Sequence, residues 1–394
     1  MTSATPPAFA VEANRQGIAA LQAGDPHAAA RHFEAAIAAD PRSGALQRNL
    51  ASAWRDLGDE AAELAALDAA LALDRRDLMA WIRKGERHEA RGEMGAALGA
   101  WSAAIALGAQ LDPVPPPLAP LLAHGQAFVA DATDTMFDAA TRALAPLHAA
   151  LSETERRRGD AFVASALGRR QIYQNQCAGV LYPFLPADEF FDRHHFPWMA
   201  EIEAQTPAIR AELEALLADP GDALRPYVRM EAGTPESIWS PLDNRLDWGA
   251  CFLWEYGEPN QPVLDRCPAT AAALAAVPGA HIPGRAPSAF FSLLKPHTRI
   301  PPHTGVTNTR AIVHLPLIVP PGCGFRVGGE TRAWEEGRAF AFDDTIEHEA
   351  WNDSDRLRAV LIFDVWNPHL SPREQELLTR YFAAADATGF AIPR

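Results

Sequence analysis

Two short stretches decide how the carboxy-terminal half of the chain reads: Pro-Pro-His-Thr-Gly at 301–305 and Phe-Asp-Asp-Thr-Ile-Glu-His-Glu at 342–349. The first follows an apolar run, Ala289 to Leu294, and the second follows the alternating Ala339-Phe340-Ala341-Phe342. Between them lie short runs of strand character punctuated by Gly and Pro, the pattern of a small antiparallel β-barrel or sandwich. His303 and His348 thus fall at strand edges, where a barrel with a metal in its mouth would carry its ligands, and imidazole suits iron. Ten residues past His348, Arg358 interrupts the apolar strand Arg-Leu-Arg-Ala-Val-Leu-Ile-Phe-Asp-Val-Trp at 356–366. A guanidinium pointing inward from such a strand is costly without an anion. It is also the natural bidentate partner of a carboxylate. Residue chemistry alone leaves two readings: a non-haem iron oxygenase site with an acidic cosubstrate, or buried structural histidines beside a surface arginine.

Composition narrows the classes. At 394 residues the chain should hold two or three domains. A net charge of −15 offers no basic footprint for a phosphate backbone, which argues against nucleic acid. No apolar run approaches the roughly 20 residues of a membrane span. Met1 to Ala10 lacks the basic and apolar segments of a signal peptide, so a soluble, cytoplasmic protein is expected. Cys177, Cys251, Cys267 and Cys323 form no CxxC pair, which disfavours both a disulfide framework and a cysteine zinc site.

The first hundred residues repeat. Gly24, Gly58 and Gly92 are spaced by 34, as are Phe33, Leu67 and Trp101, and Ala36, Ala70 and Ala104. A turn glycine with small and bulky residues at fixed offsets describes stacked helix–turn–helix units, and residues 10–109 resemble tetratricopeptide (TPR) repeats. The second copy departs at Glu63, where a small residue is expected. Such an array either holds a peptide or partner on its concave face or serves only to stabilise or dimerise the chain.

Asp112 to Pro120 is proline-rich and stops any helix. Helical spacing then resumes from Leu122 to about Arg170, broken near Ser152, where Glu155 completes a capping-box pattern. Residues 110–180 therefore read as a connector and helical bridge, and 181–394 as the chemistry-bearing domain. Adjacent His194 and His195 cannot converge on one metal from a regular element, and read as loop. Trp248, Phe252, Trp254 and Tyr256 alternate as one face of a strand.

The segments Phe291-Ser292-Leu-Leu-Lys-Pro, Pro302-His303-Thr-Gly-Val-Thr-Asn-Thr-Arg310, His314-Leu315, Gly322-Cys323, Glu330-Thr-Arg-Ala-Trp334-Glu-Glu-Gly337, Phe342-Asp-Asp344, His348-Glu, Trp351 and Asp364-Val-Trp366 resemble the aspartyl/asparaginyl β-hydroxylase family, over roughly residues 180–370. The resemblance implies a double-stranded β-helix (jelly-roll) barrel, so the whole fold is expected to be multidomain α plus β. It implies Fe(II) held by His303 and His348, with O2 as cosubstrate. It also implies 2-oxoglutarate contacted by Ser292, His314 and Arg358, with Trp254 as an aromatic contact in the same pocket and Arg310 toward the substrate. Gly305 stands where a third, carboxylate ligand is usual, as in iron halogenases, where a small residue leaves room for chloride. Asp343 or Asp344 would supply a carboxylate or, alternatively, a turn. Ile312 stands where the family often has a further Arg. The implied activity is hydroxylation of a peptidyl side chain, at the β-carbon of Asp or Asn, with the repeats recruiting the substrate. The alternatives are the same chemistry on a lipid or small molecule, halogenation, or a non-catalytic repeat scaffold.

Overall fold

The computed structural model describes residues 7–388. The ends of two expectations, the leader reading at residues 1–6 and the domain limit at 389–394, lie outside the described residues. The chain forms two compact units, divided between Ser152 and Glu153.

The first unit is a stack of antiparallel helix pairs: α1 (Ala8–Gln22) with α2 (Pro26–Ala39), α3 (Gly44–Leu57) with α4 (Glu60–Leu73), α5 (Leu78–Ala90) with α6 (Met94–Gly108), then the long α7 (Ala119–His148) against α6. The repeat glycines are required by the backbone, with φ of +75°, +75° and +68° at Gly24, Gly58 and Gly92, a region that side chains with a Cβ avoid. Phe33, Leu67 and Trp101 are fully buried. Gly17 lies against the Phe33 ring and Gly85 against the Trp101 ring. The irregular Glu63 is also fully buried. It is held by Arg55 Nε at 2.8 Å and Arg87 Nε at 2.7 Å, the pairing without which an enclosed carboxylate would be destabilising.

The second unit begins with α8 (Glu153–Ala166), so the expected 110–180 segment is shared between the units. After α9 (Met199–Ala204) and α10 (Thr206–Ala218) come β1 (Arg225–Pro226), β2 (Trp248–Glu255), β3 (Glu258–Pro259), α11 (Gln261–Leu264) and α12 (Pro268–Ala275). The remaining strands are β4 (Ala289–Leu294), β5 (Thr298–His303), β6 (Arg310–Ile318), β7 (Cys323–Val327), β8 (Glu330–Arg332), β9 (Phe340–Phe342), β10 (His348–Asn352) and β11 (Arg358–Trp366), before a closing α13 (Pro372–Asp386). Every strand pairing is antiparallel. The larger sheet runs β1-β2-β4-β11-β6-β9 with β3 beside β2, and the smaller runs β5-β10-β7-β8. Hydrogen bonding divides the described strands into two antiparallel sheets without closing them into one barrel, and the domain stands as α plus β. No helix among the described residues is long and apolar enough to cross a membrane.

Alternation along the strands sorts the side chains. Phe291, Leu293, Val313, Leu315, Leu361 and Phe363 share one core with α9, α10 and α12. The opposite face contributes Trp248, Leu294 and Phe342 to a second core with Ile300, Phe325, Val327 and Ala350 of the smaller sheet. The polar residues of interest come from this second face.

In the first unit, Gly85→Ala would place a methyl 2.7 Å from the buried Trp101 ring. The gain in helix propensity does not offset this overlap, so a loss of about 1–3 kcal/mol is expected, read as a lower midpoint of the helical transition by circular dichroism.

Candidate active site

His303 ends β5 and His348 begins β10, and the two are direct partners across that antiparallel pair. Cross-strand register thus brings together residues far apart in sequence, with ring centroids 4.1 Å apart. Each ring is fixed in the same way: His303 Nδ1 bonds the carbonyl of Pro301 at 2.8 Å, and His348 Nδ1 that of Ile346 at 3.0 Å. A carbonyl only accepts, so Nδ1 carries the proton and Nε2 keeps its lone pair. Burial lowers both pKa values, and at His348 the neighbouring His303 lowers it further. Both imidazoles are therefore neutral near pH 7, the form that binds metals. Among the described residues no group of three or more His, Cys, Asp or Glu is arranged to hold a metal; the candidate set is these two.

The pair lines a cavity of about 370 Å3 together with Ser292, His314, Arg358 and Arg310. Arg358 opens β11 and is 1% exposed. Its Nη1 donates to Ser292 Oγ at 3.4 Å, its Nε has no partner, and it lies 5.1 Å from the centre of the Trp334 ring. No carboxylate among the described residues pairs with it, and burial lowers its pKa to about 10, which leaves it charged. Ser292 Oγ also accepts from Trp248 Nε1 at 3.1 Å, so its own proton remains to be donated. His314, stacked on Trp334 at 5.6 Å, has a buried Nδ1 without a partner. Burial and the nearby Arg358 charge hold it well below the usual histidine pKa. The cavity therefore offers one unpaired cation, a hydroxyl and a neutral imidazole, a donor set suited to a small carboxylate.

Three residues differ from expectation. Trp254 does not line the cavity; it packs against the helix-side core. A register shift between Phe252 and Trp254 breaks the alternation of β2, and Trp248 supplies the aromatic contact instead. Arg310 does line the cavity, but its Nη1 is bound to Asp364 at 2.5 Å, so its charge is already met. Asp344 is the residue that sequence reasoning undervalued. A Cβ at Gly305 would collide with its carboxylate, so Asp344 fills the space that glycine leaves. Its Oδ1 is buried without a partner, and burial raises its pKa to about 7. Asp343, by contrast, takes the turn role, its Oδ1 accepting from Thr345 N at 3.0 Å and Thr345 Oγ1 at 2.6 Å. Ile312 adds an apolar wall where a second cation would stand. His194 and His195 lie in a short 3-10 turn outside the cavity.

An enclosed guanidinium without a carboxylate is kept at the expense of stability. Arg358→Met is expected to stabilise the ligand-free protein by about 1–4 kcal/mol, as when buried ionic groups become apolar, read as a higher melting midpoint. Millimolar succinate should stabilise the wild type and not the variant, both read by differential scanning fluorimetry.

The family described as aspartyl/asparaginyl beta-hydroxylase matches residues 203–368. The chain is 38% identical over 149 residues to the aspartyl/asparaginyl beta-hydroxylase of Mus musculus, covering 36% of this chain and 20% of that one. It is 37% identical over 188 residues to the ornithine lipid ester-linked acyl 2-hydroxylase of Rhizobium tropici, covering 46% and 62%. It is 32% identical over 208 residues to aspartate beta-hydroxylase domain-containing protein 2 of Rattus norvegicus, covering 51% and 57%. The match thus spans a fifth of the mouse protein and less than two thirds of the other two. The repeats align with the first TPR of Spaghetti (RPAP3) bound to an HSP90 peptide, at 22% identity, a TM-score of 0.28, and coverage of 31% of this chain and 96% of that one. That score is too low to argue from, and the repeat assignment rests on the 34-residue period and the helix pairs themselves. With the hydroxylase motifs arrayed on its paired sheets and TPR-like repeats ahead of them in sequence, the chain matches the aspartyl/asparaginyl β-hydroxylase family over residues 203–368.

Proposed function

We propose that the chain is an Fe(II)- and 2-oxoglutarate-dependent dioxygenase that hydroxylates a peptidyl side chain, the β-carbon of Asp or Asn by family likeness. On this reading the two-sheet domain is the family's double-stranded β-helix. The observation that carries the proposal is the combination, in one cavity, of an in-register neutral histidine pair with an enclosed arginine that meets no carboxylate among the described residues.

The residues fit the implied groups. Two Nε2 lone pairs, each set by an Nδ1–H···O=C bond, are the arrangement in which histidine binds a metal. The orphaned Arg358 Nε and His314 Nδ1 are polar groups that a bound dicarboxylate could satisfy. His303 and His348 would hold the iron, and Arg358 with Ser292 would receive the far carboxylate of 2-oxoglutarate. His314 would stand by the metal end. The chemistry that iron and 2-oxoglutarate supply together is oxidative decarboxylation of the cosubstrate to succinate coupled to hydroxylation of a C–H bond. Trp248 orients the Ser292 hydroxyl through the indole N–H. The Arg310–Asp364 pair presents a neutralised polar edge rather than a free cation, and Tyr227, Phe252 and Phe290 form an aromatic wall. The repeats would recruit a peptide or protein substrate, and the free state of all four cysteines suits a reaction in the cytoplasm.

A second reading, the same chemistry on a lipid acyl chain, is favoured by the likeness to the ornithine lipid hydroxylase. Halogenation is disfavoured because the Asp344 carboxyl already fills the room beside Gly305 that a halide would need. A non-catalytic scaffold would have no reason to keep the enclosed Arg358.

The test is anaerobic addition of Fe(II) and 2-oxoglutarate to the full chain. A visible charge-transfer band is expected, with succinate released on admitting air and both lost in His303→Ala. No band, or a band unchanged in that variant, would remove the cofactor assignment. Mass spectrometry of Asp- and Asn-containing peptides against acyl lipids, with and without chloride, then separates the substrate readings.

A further inference from the structure

Both histidines sit beside turns, and turns do not hold geometry by themselves. Residues 304–309 follow His303, and residues 343–347 precede His348. The two turns are joined by one backbone hydrogen bond, Gly305 N donating to Asp344 O at 2.6 Å, and by the Asp344 carboxyl packed beside Gly305. A third segment crosses both. Asn175 Nδ2 donates to Asp343 Oδ2 at 2.7 Å and to Thr345 Oγ1 at 2.9 Å. Gln176 N donates to Thr345 O at 2.8 Å, which completes the grip on the His348 turn. Immediately afterwards Ala178 N donates to Gly305 O and Gly179 N to Val306 O, each at 2.9 Å, on the His303 turn. Tyr182 and Asn308 then close the run reciprocally, Tyr182 N to Asn308 Oδ1 at 2.8 Å and Asn308 Nδ2 to Tyr182 O at 2.9 Å. The approach is close enough to need glycine: a Cβ at Gly179 would lie 2.8 Å from Val306 Cγ1 and 3.1 Å from its carbonyl oxygen.

We infer that residues 175–182 are a positioning strap for the histidine pair, one segment that ties the two ligand-bearing turns to each other and so sets the separation of the imidazoles. The strap lies ahead of the part of the chain that the family description matches, which begins at residue 203. It acts through backbone amides and one side-chain amide, and none of these hydrogen bonds goes to a histidine ring. Asn175 and Gly179 are accordingly positioning residues, like the hydrogen-bonded partners that orient ligands from outside a metal site. The inference rests on the metal reading proposed above.

The experiment titrates the full chain with Co(II) alone and follows the visible ligand-field bands, which report ligand geometry, alongside the melting midpoint without metal. Asn175→Ala and Gly179→Ala are each expected to weaken Co(II) binding by roughly 10- to 100-fold, as loss of a ligand-orienting partner does, and to change the band shape. The metal-free midpoint of Asn175→Ala should stay near that of the wild type. Arg170→Ala, which cuts a tie to Glu189 and Gly329, residues of neither turn, should bind Co(II) like the wild type. Wild-type affinity and bands in both strap variants would overturn the inference. Weakened binding that merely follows a fallen midpoint, in Arg170→Ala as in the strap variants, would overturn it too. A wild-type chain without bands, or with bands unchanged in His303→Ala, would overturn the metal reading itself, a failure distinguishable because it appears before any strap variant is compared.

Discussion

The guanidinium of Arg358 is enclosed on the inner face of the larger sheet with no carboxylate among the described residues to answer it, and the surrounding arrangement is explained by that one unmet charge. Burying an unpaired cation is unfavourable enough that the group tends to lose its proton or its burial. Here the depressed pKa remains near 10, so the charge stays and the neighbours adapt. Trp334 gives it a π face, Ser292 a single long hydrogen bond, and His314 is kept neutral beside it. The strand register makes this possible: Val360 pairs with Ser292 and Ile362 with His314, so three strands bring their polar side chains to the same wall.

The smaller sheet supplies the other half by the same logic. Pairing His303 directly with His348 across β5 and β10 brings the two rings side by side through the ladder. Backbone carbonyls two residues earlier in each chain segment fix both tautomers. Cation and imidazoles thus come from different sheets, facing one cavity, with an apolar core joining the sheets around them.

Much of this was legible in the sequence, for physical reasons that also mark its limits. The 34-residue period is readable because each repeat needs a left-handed glycine and a bulky residue facing a small one. His303, His348 and Arg358 stand out because polar residues in apolar, alternating strands need a reason to be there. What failed to show was geometry that depends on a partner. The bulge in β2 moves Trp254 to the wrong face, and nothing in Phe-Leu-Trp announces it. Asp364, which neutralises Arg310, lies on a neighbouring strand 54 residues away. Asp344 fills the space beside Gly305 from another turn, so a missing carboxylate in one motif is answered in another. Glu63 read as a flaw in the repeat until its two arginines were in view.

On the reading proposed above, the histidine pair and the lone arginine form one cofactor site. Iron K-edge X-ray absorption of the full chain, loaded anaerobically with Fe(II) and 2-oxoglutarate, tests it most directly. The account predicts multiple-scattering features of two imidazoles with the remaining donors oxygen, falling to one imidazole in His303→Ala. An iron shell with no imidazole, or one indifferent to that substitution, would contradict it.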